Sequence, residues 1–246
     1  MLSNFVQGVQ ENGISVSKNR QTNFGAPVDS YALKYVHILM HKRDENSLGM
    51  ASAADSGAAR LYIWNIQISA AFWGGFHFLE ILLRNAIHEH LAEQAHNSFW
   101  WETDIPLFDS DRDYILEAIA NATKKGDFLE ARLVISQLHF AFWVGLLANK
   151  YHSSLWVNRL EMIFPHYHGD RRGLHAALDR LRKLRNRIAH HESISSRDLA
   201  ADFASLCSII GYMDVDAATF VKYLSKVEQV LASKEAVLTG TAQISF

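Results

Sequence analysis

Cysteine is almost absent from this chain of 246 residues. Cys207 stands alone, so no disulfide can close within one copy, and nothing in the sequence asks for an oxidising compartment. Proline is nearly as scarce. Pro27, Pro106 and Pro165 are the only three, which leaves long stretches free of the residue that most reliably interrupts a helix. Neither sign of charge dominates: the formal net charge at pH 7 is −2. That excludes a protein that coats nucleic acid through its total charge, though not one with a local basic face. Glycine-rich phosphate loops and Gly-x-Ser-x-Gly elbows are missing, so nucleotide hydrolysis and acyl transfer are unsupported. Met1 to Gly13 has neither a basic n-region nor an apolar h-region, and no signal peptide is expected. The most apolar run, Ile66 to Leu83, contains Gln67, His77 and Glu80. A membrane span needs about 20 nearly uncharged residues. The run therefore reads as a buried core helix, and the protein as soluble, cytoplasmic and without a membrane partner.

What is present is the balance of a packed globular chain, 49% hydrophobic and 20% charged. Its length suits one large domain, or one with a small helical appendage. Residues 1–57 form a lead-in without periodicity, apart from a short helix expected over Tyr31 to Lys42. Asp55 or Ser56 is placed to cap a helix starting near Ala58. From about Ala58 to Ala95, Leu61, Trp64, Ile68, Phe72, Phe76, Leu79, Leu83, Ile87 and Leu91 recur by threes and fours. This predicts one very long helix or two continuous ones. Gly74 and Gly75 inside it suggest a kink or a close helix crossing. Further helices are expected from Ser110 or Asp111 to Thr123, Phe128 to Tyr151, Arg171 to His191, Ser196 to Met213 and Asp216 to Ala232. A tail spans 236–246. No segment alternates with period two, so the fold class is all-α, a helical bundle with a long central helix.

The chemistry concentrates in Leu174 to Glu192. Leu174, Leu178, Leu181, Leu184 and Ile188 share one apolar stripe, and the other faces are basic. Arg171, Arg172, Arg180, Arg182, Lys183, Arg185 and Arg187 are opposed only by Asp170 and Asp179 in this stretch. Such a face attracts phosphate, and Arg180, Arg182, Lys183 and Arg187 are the candidate RNA-binding residues. Within it, Arg185, Asn186 and His190 form Arg-Asn-x-x-x-His. A histidine exchanges protons near neutral pH, and an arginine presents a charged fork to a phosphate. Together they suffice to cleave RNA without a metal or cofactor, the imidazole taking the ribose 2′-OH proton and the guanidinium steadying the phosphoryl oxygens. Helix geometry sets a condition. Asn186 and His190 lie on one face, but Arg185 and His190 point about 140° apart. Either the helix frays near His191, or the Arg185 side chain wraps round, or a second copy supplies the missing side. The last option predicts a homodimer. A histidine and basic residues near a helix C-terminus are also favoured by the helix dipole alone, so the spacing by itself is a weak motif.

The order of blocks along the chain resembles a known family. Arg185-x4-His190 with Asn186 after the arginine resembles the Arg-x4-6-His signature of HEPN ribonucleases. Its setting resembles the Abi-like, abortive-infection branch. The resemblance rests on Leu61-Tyr62-Ile63-Trp64-Asn65, Leu79 to Ile87, Trp100-Trp101, Phe140 to Leu147, Phe164-Pro165 and Leu184 to Glu192. It covers roughly residues 58–232, within a helical domain expected over 58–235. It implies a HEPN-type helical bundle, a homodimer with facing motifs, and action on RNA in antiviral defence or as a toxin, with an antitoxin or regulatory protein as a further partner. Carried across, His190 becomes the general base or acid, Arg185 the phosphate ligand and Asn186 an orienting hydrogen bonder. The alternative is a non-catalytic HEPN module that binds RNA or a partner protein through the same face.

Glu80 and Arg84, spaced i and i+4 in an apolar helix, form a second polar island. They are expected either to pair with each other, or to let Glu80 or Asn85 pack against residues 185–190 and orient His190. Arg84-x5-His90 also fits the loose motif. His88 and His90 diverge on a helix, and His166 and His168 read as turn residues, so no metal site is expected. His191 is expected to pack or to bond a carbonyl, and is a minor supporting candidate. Trp73, Phe72, Phe142 and Trp143 read as core.

Overall fold

The structure, a computed structural model, describes residues 53–124, 128–157 and 159–242. The helix expected over Tyr31 to Lys42 lies outside them. Among the described residues there are α-helices, short 3-10 and π turns, and no strand.

The spine is one unbroken helix, α1 (Ala53–Ala95), of 43 residues. It starts earlier than expected, so Asp55 and Ser56 sit in its first turns rather than ahead of it. Trp64, Ile68, Phe72, Phe76, Leu79, Leu83, Ile87 and Leu91 follow one another by threes and fours and are all fully buried. At roughly 1.5–3 kcal/mol for each large side chain removed from water, this stripe is the main reason the helix holds its length. Gly75 marks a close crossing rather than a kink. A Cβ there would stand 3.1 Å from Leu206 Cδ2 and 3.8 Å from Val221 Cγ1, so the missing side chain lets α6 and α7 approach. Gly74, one residue earlier, faces open space.

Around the spine lie α2 (Asp109–Thr123), α3 (Ala131–Gln137), α4 (Phe140–Gly145), α5 (Arg171–Ala189), α6 (Leu199–Met213), α7 (Val215–Leu224), α8 (Val227–Ala232) and α9 (Lys234–Thr239). Helices α6, α8 and α9 pack along α1, α7 lies on α6, and α5 runs between α4 and α6.

Two expected long helices are broken. The stretch 128–151 divides at Leu138 and His139, whose ψ values of 127° and 155° are extended, and then continues through 3-10 and π turns to Trp156. Its apolar residues are too numerous for one stripe. The bend lets Val134 and Ile135 on one side, and Phe140, Phe142, Trp143 and Val144 on the other, all reach the core. The stretch 216–232 likewise divides at Ser225, with φ −71° and ψ 138°. Residues 236–239, expected to open a tail, instead belong to α9. Val237 is buried, and the helix ends in left-handed Gly240 at φ 78°, against which the Arg60 guanidinium packs.

Part of α1 departs from the expected buried helix. Within Arg60–Ala95 it is long and apolar enough to cross a membrane by composition, and only 33% of the most apolar window is buried. Its core stripe is packed, but Ile66, Trp73 and Phe78, off that stripe, are 39%, 46% and 36% exposed.

Candidate functional site

Three anchors fix α5, the helix that carries the Arg-Asn-x-x-x-His segment. At its start, Asp170 Oδ1 accepts from the Gly173 amide at 2.6 Å, satisfying one of the open amides of the first turn. Beside it, Arg171 turns inward. It donates from Nη1 to the Leu147 carbonyl at 2.7 Å and from Nη2 to Asn149 Oδ1 at 2.9 Å. Buried in this way, Arg171 does not belong to the basic face on which the sequence placed it.

The middle anchor is the Arg185–Glu80 pair. Arg185 donates from Nε to Glu80 Oε1 at 2.6 Å and from Nη2 to Oε2 at 3.3 Å, a two-pronged fit of guanidinium to carboxylate. The two side chains are 30% and 26% exposed. The guanidinium carbon also lies 5.6 Å from the centroid of the Trp73 ring. Glu80 therefore does not pair with Arg84. Arg84 Nε instead donates to Asn85 Oδ1 at 3.1 Å. Of the two arrangements the sequence left open, Glu80 packs against the 185–190 segment, but it engages Arg185 rather than His190.

The third anchor closes the C-terminal end. His190 is the capping residue of α5, with φ −92° and ψ 10°. His191 comes next, in the left-handed region at φ 58°. The His191 amide donates to the Ile188 carbonyl at 3.1 Å and the Glu192 amide to the Arg187 carbonyl at 2.8 Å, the paired bonds of a Schellman cap. His191 is exposed and does not pack against the apolar stripe; its place is set by the turn. The chain is then tied to the spine by Asn65, whose buried side-chain oxygen accepts from the Ile194 amide at 2.8 Å. Asn65 thus positions the end of α5. Its signal in the sequence was an amide in an otherwise apolar run, next to Trp64.

The basic face is partly neutralised. Arg182 donates to Asp179 at 2.7 Å and Lys183 approaches it at 2.8 Å. The Lys183 ammonium and the Arg182 guanidinium hold the Asp179 carboxyl below its ordinary range. Arg187 pairs with Glu192 at 3.2 Å across the Schellman turn. Arg180 is exposed, and among the described residues it has no acidic partner within salt-bridge distance.

Arg185 lines a cleft of about 450 Å³ between α1, the bend from Ser136 to His139, and α4. Glu80, Arg84, His77 and His139 share its walls; Asn186, His190 and His191 do not. His190 is exposed beyond the cleft, and among the described residues its imidazole has no hydrogen-bond partner. One copy therefore presents an oriented guanidinium in a cleft and an unengaged imidazole outside it. Of the four aromatic residues expected in the core, Phe72, Phe142 and Trp143 are buried there, whereas Trp73 is 46% exposed at the cleft mouth. Sequence reading missed this role of Trp73, as well as His77 and His139. His88 accepts from Trp100 Nε1 at 3.1 Å, and burial holds its imidazole below the ordinary value. His90 meets Gln94 at 2.9 Å.

The chain matches no family model, no curated protein and no solved structure.

Proposed function

We propose that this chain is a metal-independent endoribonuclease of the HEPN kind, working in the cytoplasm as a homodimer in abortive infection or as a toxin restrained by a partner protein. The observation that carries the reading is the contrast on α5 between Arg185, held at two points by Glu80, and His190, an exposed and unpaired imidazole five residues on. A guanidinium already fixed in place loses little freedom on meeting a phosphate. An exposed imidazole with no internal partner is open to an incoming strand.

In the proposed reaction His190 takes the proton of a ribose 2′-OH. The 2′-oxygen attacks the adjacent phosphorus, the bond from phosphorus to the 5′-oxygen breaks, and that oxygen leaves with a proton taken from water, the imidazolium later giving its own proton back to solvent. The products are a 2′,3′-cyclic phosphate and a 5′-hydroxyl. Arg185 steadies the charge on the phosphoryl oxygens, Asn186 orients the strand or the imidazole, and the exposed part of the basic face, above all Arg180, draws in the backbone. Because Arg185 faces the cleft while His190 lies outside it, the reading takes the two groups from different copies.

The test is incubation of the protein with total RNA and tRNA in EDTA, beside a His190→Ala variant. Cleavage by the wild type alone, with 2′,3′-cyclic phosphate ends, supports the enzyme. RNA left intact by both, but bound in a salt-sensitive way, identifies a non-catalytic HEPN module instead.

A further inference from the structure

The cleft beside Arg185 has a chemistry of its own, apart from whether His190 cleaves anything. Its volume of about 450 Å³ lies in the range of roughly 300–1,000 Å³ typical of small-molecule sites. Donors outnumber acceptors on its walls. Arg84 spends only Nε on a protein acceptor, Asn85 Oδ1, and its two terminal nitrogens meet none among the described residues. Arg185 gives Nε and Nη2 to Glu80, which leaves Nη1. The one carboxylate present, Glu80, is balanced by Arg185, so Arg84 leaves the cleft net positive. The mouth is flanked by Trp73, 46% exposed, with the Arg185 guanidinium carbon 5.6 Å from its ring centroid.

A ligand suited to these walls is anionic, rich in acceptors, and carries a flat ring. We propose that the cleft binds a nucleoside phosphate, with its phosphate at the terminal nitrogens of Arg84 and its base against Trp73. Arginine meets phosphate through a planar fork, and bases stack on exposed aromatic rings whatever their identity. Either a nucleotide turned out of a single RNA strand or a free mononucleotide supplies this chemistry.

Isothermal titration of the full chain tests the proposal, with adenosine 5′-monophosphate, adenosine, inorganic phosphate, and a 2′-O-methyl RNA oligonucleotide that cannot be cleaved. The monophosphate is expected to bind at least about tenfold more tightly than adenosine or phosphate alone. Arg84→Ala and Trp73→Ala are each expected to weaken it about tenfold or more. Trp73 is exposed, so its variant keeps the test open if Arg84→Ala folds poorly by circular dichroism. Competition between the oligonucleotide and the monophosphate assigns the site to an RNA strand; monophosphate binding without competition assigns it to a free nucleotide. The titration reads binding through Arg84 and Trp73 and involves no cleavage, so a failure of the cleavage reading leaves this result standing. The proposal is overturned if neither the monophosphate nor the oligonucleotide binds at millimolar concentration, if phosphate alone binds as tightly as the monophosphate, or if both folded variants bind unchanged.

Discussion

Replacing Glu80 and Arg185 separately and together measures how firmly the cleft holds its guanidinium. The pair is bidentate, at 2.6 and 3.3 Å, with side chains 26% and 30% exposed. Fully exposed ion pairs are worth about 0.2–1 kcal/mol, and breaking a fully buried one costs about 3–5 kcal/mol. An intermediate site places the coupling between Glu80 and Arg185 at about 1–2 kcal/mol, part of it screened by solvent. Glu80→Gln and Arg185→Gln should each lower stability by about 1–2 kcal/mol. The double variant should lose little more than either one, because each single change leaves the partner charge half-buried and alone. In a helical domain of this size, about 1 kcal/mol moves Tm by about 2–4 °C. Urea unfolding of the four proteins at low salt gives the coupling directly. If the two losses add to within about 0.3 kcal/mol, Glu80 does not hold Arg185, and the guanidinium is not oriented in advance.

Other consequences arise from the ends of α5 and from the scaffold. His191 sits at φ 58° without being glycine, so His191→Gly should raise stability by about 1 kcal/mol, read as a higher urea midpoint with unchanged m-value. Asp111 is buried, accepts from the Tyr151 hydroxyl at 2.6 Å and pairs with Lys150. Asp111→Ala should therefore cost about 3 kcal/mol, measured by thermal unfolding, and a loss under about 1 kcal/mol would discount that network. Burial holds His88 and His175 below the ordinary imidazole value. In the unfolded chain they take up protons first, so the stability they confer is complete above about pH 6.5 and lost as pH falls below it. Chemical denaturation from about pH 8 to about pH 5 should show that slope, and His88→Gln should flatten it.

The sequence made the spine legible because the residues from Trp64 to Leu91 repeat on one stripe, a pattern that only a helix can bury. It made the apolar face of α5 legible for the same reason. It did not show the breaks at Leu138 and Ser225, where apolar residues surround the helix and tertiary packing, rather than propensity, chooses the bend. Nor did it separate the seven basic residues of α5. Arg171 is spent on Leu147 and Asn149, Arg187 on Glu192, and Arg185 on Glu80. Spacing along one helix reports which face a side chain leaves from, and not what another helix places in front of it. The Glu80–Arg185 pair joins residues 105 positions apart, and no local pattern chooses it over Glu80–Arg84. Trp73 likewise fitted the hydrophobic run, but it lies off the core stripe, at the mouth of the cleft beside Arg185.

The most direct measurement mixes two inactive variants, Arg185→Ala and His190→Ala, unfolds and refolds them together so that copies exchange, and tracks RNA cleavage in EDTA. If each site takes its arginine from one copy and its histidine from the other, half of the dimers are mixed and each holds one complete site. Activity should then return to roughly a quarter of the wild-type level. Two dead variants that stay dead when mixed, with dimers confirmed by light scattering and an active wild type, would contradict a site shared between two copies.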